Sequence, residues 1–233
     1  MLRAALHIVL MLFCTPVFSG VTIEGTRIIF PAGSKSINVQ LRNGFPTPSL
    51  VQSWIDNGDE TKIPDASKIP FVLTPSLTRV EPRKGQIIRI IPTNTSSLPK
   101  DRESLFWFNM HDIPPDDPSL ADKNRILFTV RTRIKLFYRP ARLGMQPEDA
   151  YKKLSFKKIN NSDVEIENNS PYFITILNIQ NTAKNKTYTD SAILIEPFNK
   201  SRLSLKLDNK QSDYIYSILN DMGASREFTV SIK

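Results

Sequence analysis

Residues Arg125 to Pro140, RILFTVRTRIKLFYRP, carry the pattern that decides the fold. Side-chain character alternates at every second position, and one face consists of Ile126, Phe128, Val130, Thr132 and Ile134. The opposite face is loaded with cations in its second half, at Arg131, Arg133 and Lys135. Alternation of period two predicts a β-strand, about 33 Å long over ten residues. Because a strand usually has about five or six residues, this strand is long enough to serve more than its own sheet.

Further strand-like runs follow one another on both sides of this stretch, without a long amphipathic helix. Seven are predicted in the first half of the chain: Val21–Phe30, Ser36–Arg42, Leu50–Ile55, Pro70–Thr74, Gln86–Ile91, Ser104–Met110 and Ile126–Tyr138. Seven more are predicted in the second half: Lys153–Lys157, Val164–Glu167, Tyr172–Ile179, Ala192–Ile195, Arg202–Leu207, Tyr214–Leu219 and Glu227–Ile232. Short strands separated by Gly, Pro and Asn turns are typical of antiparallel sandwiches. Trp54 lies on the third run, where immunoglobulin-like domains often bury a tryptophan.

A polar, broken segment, ARLGMQPE at residues 141–148, interrupts the strand pattern. Segments of this composition are typical of domain boundaries. The sequence therefore predicts an all-β protein with one sandwich domain over residues 20–140 and a second over residues 141–233.

The first 19 residues have the features of a secretory signal peptide. Arg3 gives a positive start, Ala4 to Phe18 supply the apolar run, and Val17-Phe18-Ser19 matches a small-x-small cleavage site. This run is too short to span a membrane, so we expect no membrane insertion. A lipoprotein site at Cys14 is disfavoured, because Phe13 is bulky where such sites need a small residue. The mature chain, which is expected to start near Gly20, would contain no cysteine and would depend on hydrophobic cores for its stability.

Composition excludes several function classes. The net charge is +8 and glycine is scarce, with no nucleotide-binding glycine motif and no RNA-binding aromatic signature. We therefore expect no nucleic-acid partner, and a basic balance suits an acidic or carboxylate-bearing one. His111 is the one histidine after the signal peptide and lacks a nucleophile motif. We expect no enzyme activity, no cofactor and no metal, although catalysis by carboxylates alone at Asp112, Asp116 and Asp117 remains a formal possibility.

Three segments, taken in order, resemble a known family. They are GTRIIF at residues 25–30, LPKDRESLFWFN at residues 98–109 and RIKLFYRP at residues 133–140. In this combination they closely resemble the periplasmic chaperones that assemble bacterial pili by the chaperone–usher route. The resemblance implies two immunoglobulin-like domains in an L or boomerang arrangement with a cleft between them. It also implies a location in the periplasm and two partners, the pilus subunits and the outer-membrane usher. The loop from Asp116 to Arg125 is short, as in the short-loop chaperones.

The resemblance assigns roles to two groups of residues on this strand and its neighbour. Arg27 and Lys135 match the cations that anchor the C-terminal carboxylate of a pilus subunit. Ile126, Phe128 and Val130 match the apolar residues that such chaperones insert into the groove left by the subunit's missing strand. The alternatives are that both cations are ordinary solvated strand residues, and that the three apolar residues fill the protein's own core.

A third implied group, Glu103, Arg139 and Asp221, matches family positions that form a bridge between the domains. An isolated surface pairing is the alternative for these three residues. The second domain departs from the family pattern, because Asn168-Asn169-Ser170-Pro171 stands where Asn-Pro-Ser/Thr-Pro is usual and a frequent cysteine pair is absent.

The alternative function is that of a secreted immunoglobulin-like structural or adhesive pilus component. Such a polymerising subunit should have one sandwich preceded by a donor extension. Here Gly20-Val-Thr-Ile is expected to lead directly into the first strand, which favours the chaperone. The sequence leaves open whether the free chaperone protects its donor strand by self-association.

Overall fold

The structure is a computed structural model that describes residues 20–116, 126–160, 162–181, 187–205 and 213–232. The predicted signal peptide, residues 1–19, lies outside this part of the chain, as do residues 117–125 of the predicted short loop. Within the described ranges, no helix is long and apolar enough to cross a lipid bilayer.

The first domain is a sandwich of two sheets. Its strands are β1 (Val21–Ile23), β2 (Arg27–Pro31), β3 (Ile37–Asn43), β4 (Ser49–Asp56), β5 (Phe71–Thr74), β6 (Leu77–Val80), β7 (Gly85–Pro92), β8 (Ser104–Ile113) and β9 (Val130–Arg139). A short 3-10 helix, Ala66–Lys68, precedes β5. One sheet has the order β1-β3-β7-β5 and the other β2-β9-β8-β4-β6. Strand β2 runs parallel to β9, whereas β8 pairs with β9 in the antiparallel sense.

The core of the first domain lies between these two sheets. Phe30, Phe108 and Leu136 enter it from the five-stranded sheet, while Leu41 and Ile88 enter from the four-stranded sheet, and all five are fully buried. Burying a large apolar side chain contributes about 1.5–3 kcal/mol relative to leaving it in water. Alternate apolar positions therefore supply a core that does not depend on a disulfide.

The second domain is a smaller sandwich that follows a short helix, α1 (Pro147–Tyr151). Its strands are β10 (Leu154–Lys158), β11 (Asp163–Asn168), β12 (Ile174–Asn181), β13 (Ile193–Ile195), β14 (Lys200–Ser204), β15 (Asp213–Leu219) and β16 (Ser225–Ser231). The sheet orders are β10-β11-β14 and β13-β12-β15-β16. Ile166 and Ile176 are fully buried between the two sheets. The predicted all-β fold, two immunoglobulin-like sandwiches in an L or boomerang arrangement, is confirmed.

Two details of the predicted first domain are wrong. Residues 21–30 form two strands rather than one, because the chain turns at Gly25, whose φ of 120° suits glycine, and β1 and β2 join opposite sheets. The short strand β6 was not predicted at all. On β4, alternation points Val51 and Ile55 into the core and Trp54 to the outer face, where it is half-buried.

The predicted strand Ile126–Tyr138 also starts too early, because β9 begins at Val130. Its neighbour β8 pairs with it up to Asp112 opposite Val130. The same register would place Pro114 opposite Phe128, and proline has no backbone N–H to donate to a ladder. The pairing of β8 with β9 therefore does not extend from Val130 back to Phe128, and Ile126–Thr129 lie outside the sheet.

Candidate functional site

Arg27 and Lys135 lie side by side on the outer surface of the five-stranded sheet. They are register partners in the parallel pair of β2 and β9. The guanidinium of Arg27 reaches the second domain, where Nη1 donates a hydrogen bond of 2.9 Å to the backbone oxygen of Leu219. The two cations therefore meet at the junction of the two sandwiches.

Neither cation has a counter-ion among the described residues. No carboxylate there forms an ion pair with Arg27 or Lys135, and Arg27 Nε is buried without a hydrogen-bond partner. The ammonium of Lys135 lies over the Trp107 ring, with Nζ 4.9 Å from the ring centroid. This arrangement leaves the ammonium of Lys135 and the guanidinium of Arg27 without a negatively charged partner among the described residues.

The pKa values of Arg27 and Lys135 reflect the lack of a counter-ion. Burial lowers the pKa of Lys135, and the positive charges of Arg27 and Arg133 lower it further. Burial also lowers the pKa of Arg27, by more than the nearby negative groups raise it. A carboxylate would relieve both effects, since Arg presents a planar fork to it and Lys a compact charge.

The other cations on the same face of β9 already have polar partners. Arg133 binds the fully buried Asp56 through Nε at 3.0 Å and Nη2 at 2.7 Å. Its guanidinium also stacks on Trp107, 4.0 Å from the ring centroid. Arg131 donates to Asn109 Oδ1 at 2.7 Å. Sequence reasoning missed this support around Lys135, and the one available signal was Asp56 at the end of a strand.

Ile126, Phe128 and Val130 lie in the open beside the sheet. Their exposed fractions are 80%, 77% and 56%. They have the same parity as Leu136 and Tyr138, which point into the core of the first domain. The alternative that these three residues fill the protein's own core is therefore wrong in this structure. The apolar row of β9 continues past the end of its sheet into solvent.

The third predicted group meets at the hinge between the domains. Arg139 Nε donates to Glu103 Oε1 at 2.7 Å, and its Nη1 and Nη2 donate to the two carboxylate oxygens of Asp221 at 2.6 and 2.9 Å. The side chain of Glu103 is 1% exposed, compared with 32% for Asp221. The hydrogen bonds and charges of both carboxylates raise the pKa of Arg139 despite its burial. The guanidinium thus joins the end of β9 to the turn after β15.

Backbone and aromatic contacts complete the hinge. Glu103 N donates to Pro171 O at 2.9 Å, and Phe173 N donates to Glu103 Oε2 at 2.8 Å. The rings of Phe137 and Phe173 lie 5.6 Å apart. Glu103 N and Oε2 therefore bond across the domain boundary, while its Oε1 holds Arg139 of its own domain, and these contacts together restrict the angle between the sandwiches.

No group of three or more metal-ligating side chains occurs in the parts of the chain that the structure describes. The candidate site consists of the two cations Arg27 and Lys135 and the apolar row Ile126, Phe128 and Val130.

Comparison with known proteins identifies the architecture. The family described as pili and flagellar-assembly chaperone, PapD N-terminal domain, matches residues 20–144, and the pili assembly chaperone PapD C-terminal domain matches residues 149–230. The chaperone protein HifB of Haemophilus influenzae is 40% identical over 215 residues, covering 90% of this chain and 86% of HifB.

Solved structures give the same result. The crystal structure of the YadV chaperone is 34% identical, with a TM-score of 0.76, and the match covers 91% of this chain and all of YadV; YadV is a protein of Escherichia coli. The complex of the Salmonella enterica SafA pilin with the SafB chaperone matches with a TM-score of 0.78 and 25% identity, over 94% of this chain and 98% of that one. These relatives form a family of assembly chaperones rather than enzymes. The chain belongs to the PapD family of pilus-assembly chaperones.

Proposed function

We propose that this protein is a periplasmic chaperone that binds pilus subunits, completes their fold by donating a strand and delivers them to the outer-membrane usher. The relatives are named as chaperones, which favours this function over a structural or adhesive pilus component. One matched structure contains a chaperone together with a pilin. Arg27, Lys135 and the row Ile126, Phe128 and Val130 are the residues proposed to contact the subunit.

The observation that supports this function best is the pairing of unused charge with unused apolar surface on one strand. Lys135 lies five residues after Val130, which is about 17 Å along a strand. A subunit whose terminal carboxylate binds Arg27 and Lys135 would have its last strand held at a fixed register beside β9. Each charge-assisted hydrogen bond would contribute about 1.5–3 kcal/mol.

The donated residues would then fill every second position of the subunit's incomplete groove. An added strand supplies backbone hydrogen bonds along its edge and side chains to alternate pockets. Burying Ile126, Phe128 and Val130 would stabilise the complex by about 1.5–3 kcal/mol for each residue. Because Ile126–Thr129 make no ladder in the described structure, these residues can form one with a subunit.

The location follows from the proposed signal peptide. Cleavage after Ser19 would release residues 20–233 into the periplasm, where subunits arrive unfolded. One matched structure is named as a periplasmic chaperone. We also propose the domain boundary at residues 140–141, and the end of β9 at Arg139 and the start of α1 at Pro147 support it.

The test is co-purification of tagged protein from periplasm that contains candidate subunits, with partners identified by mass. We expect the unmodified chain to recover a stable subunit complex and the double variant Arg27→Ala/Lys135→Ala to recover none while remaining folded. Lys153→Ala, which removes an exposed cation of the second domain, is the matched control. Equal recovery with the double variant would show that the anchor assignment is wrong.

A further inference from the structure

Asp112, near the end of β8, is a buried carboxylate whose charge is not balanced. It is 4% exposed, and its Oδ2 accepts one hydrogen bond of 2.9 Å from Val21 N. Its Oδ1 is buried without a hydrogen-bond partner, and it has no ion pair with any described residue. By contrast, the buried carboxylates of Asp56 and Glu103 each bind an arginine. A buried charge that lacks a partner is strongly unfavourable, so Asp112 calls for a cation.

Gly20 lies directly against this carboxylate. A Cβ on Gly20 would stand 2.5 Å from Asp112 Oδ2 and 3.3 Å from the ring of Phe45, so no larger residue fits there without displacing a neighbour. The backbone oxygen of Gly20 is held by Gly44 N at 3.2 Å. The Gly20 nitrogen is therefore kept near Asp112, and the freedom of glycine about Cα allows it to turn toward Oδ1.

We infer that the α-ammonium of Gly20, produced when the signal peptide is removed, is the missing counter-ion of Asp112. In the precursor this nitrogen belongs to the Ser19–Gly20 peptide bond and is neutral. Hydrolysis of that bond by the export peptidase consumes one water, leaves a carboxylate on Ser19 and gives Gly20 an amino group that is protonated at neutral pH. The ion pair therefore forms only in the processed protein. This inference rests on the proposed cleavage site and is independent of subunit capture.

The position of the pair connects processing to the donor segment. Asp112 is the register partner of Val130, the residue at which β9 begins. An ammonium bound at Asp112 ties the start of β1 to the end of β8 at the point where Ile126–Thr129 leave the sheet. Removal of the signal peptide would thus complete the packing of the domain next to its proposed binding strand.

The test is an NMR titration of the Gly20 Cα in ¹³C-labelled protein purified from periplasm, after mass spectrometry has established that the chain starts at Gly20. An α-amino group ordinarily has a pKa of about 7.7–8.0, and an ion pair with Asp112 should raise it by at least about one unit. In Asp112→Asn, which keeps an acceptor for Val21 N, the pKa should return to the ordinary range. Arg42, Lys84, Arg83, His111 and Arg131 on neighbouring segments are unchanged in this variant.

Stability gives a second readout. Because the folded pKa is raised above the unfolded one, the stabilisation is complete below about pH 7.7 and is lost as the pH rises through the folded pKa. As the pH rises through the folded pKa of the α-amino group, the urea midpoint of the processed protein should fall. The urea midpoint of a chain with one alanine inserted before Gly20 should not fall over the same pH range. An ordinary α-amino pKa in the unmodified protein, or a mature chain that starts elsewhere than Gly20, would overturn the inference.

Discussion

The hinge between the domains and the cleft beside it contain the same kinds of residue, namely cations and large apolar side chains. The cleft here means Arg27, Lys135 and the row Ile126, Phe128 and Val130. The hinge side chains have counter-ions or packing partners within the protein, whereas the cleft side chains lack them. At the hinge, Arg139 binds Glu103 and Asp221, and Phe137 packs against Phe173. At the cleft, Lys135 forms no ion pair with a carboxylate of the described residues, and Phe128 is 77% exposed. Both regions use residues of β9 or of the segment directly before it, and Phe128 and Arg139 are separated by only 11 positions.

This difference separates residues that hold the protein together from residues that await a partner. A buried charge without a partner is unfavourable, and adjacent exposed apolar side chains are typical of an interaction site. A chain that satisfies such groups at the hinge and leaves them unsatisfied at the cleft has a surface suited to a carboxylate and an apolar groove. Substitutions in the two regions should therefore act on different measurements.

The largest expected effect is at the hinge. Arg139→Ala would leave Glu103 buried without a cation, and loss of one member of a buried ion pair costs about 3–5 kcal/mol. We expect the free energy of unfolding, measured by urea denaturation, to fall by this amount. Lys135→Ala, at the cleft, is the matched comparison and should leave that free energy unchanged or slightly increased. Equal losses in the two variants would remove the distinction between hinge and cleft.

The next effect concerns the aromatic residues of the two regions. Phe128→Asp should weaken subunit capture by about 10- to 100-fold, because it removes about 1.5–3 kcal/mol of apolar burial from the complex. The melting temperature of the free Phe128→Asp variant should equal that of the unmodified protein, since Phe128 makes no core contact in the free protein. Phe137→Ala is the hinge counterpart and should lower stability by about 3 kcal/mol or more. A large fall in the melting temperature of Phe128→Asp would show that Phe128 packs against its own domain.

The smallest effect is a pH dependence of the cleft. Because the folded pKa of Lys135 is lowered, the unfolded chain holds this proton more tightly than the folded one. Stability should therefore increase as the pH rises through the interval from the folded pKa up to 10.5, the ordinary value. Lys135→Met should lack this increase in urea unfolding measured at closely spaced pH values. An unchanged pH profile in Lys135→Met would contradict the assigned electrostatics.

The sequence predicts much of this arrangement because alternation determines which face a residue occupies. The parity of Ile126, Phe128 and Val130 follows from that rule, and so does the outward direction of Lys135. Sequence could not distinguish Lys135 from Arg133, because the difference depends on Asp56 reaching Arg133 from β4, which is distant along the chain. It also could not place the start of β9, because that position is set by the register with β8 and by Pro114.

The hinge illustrates the same limit. Motif resemblance brought Glu103, Arg139 and Asp221 together, and the structure places all three in contact. The hydrogen bonds between Glu103 and the backbone of the second domain had no sequence signal, since they depend on how the two sandwiches meet. Likewise, nothing in the sequence pointed to the approach of Gly20 to Asp112.

The most direct test of the central claim is the affinity of the protein for a peptide with and without its terminal charge. The peptide would copy the last strand of a subunit recovered by co-purification, in one form with a free C-terminal carboxylate and in the other with an amide. If Arg27 and Lys135 are vacant for that carboxylate, calorimetry should show at least about tenfold weaker binding of the amide, and this difference should disappear in Arg27→Ala/Lys135→Ala. Equal affinities of the two peptides for the unmodified protein would contradict the account.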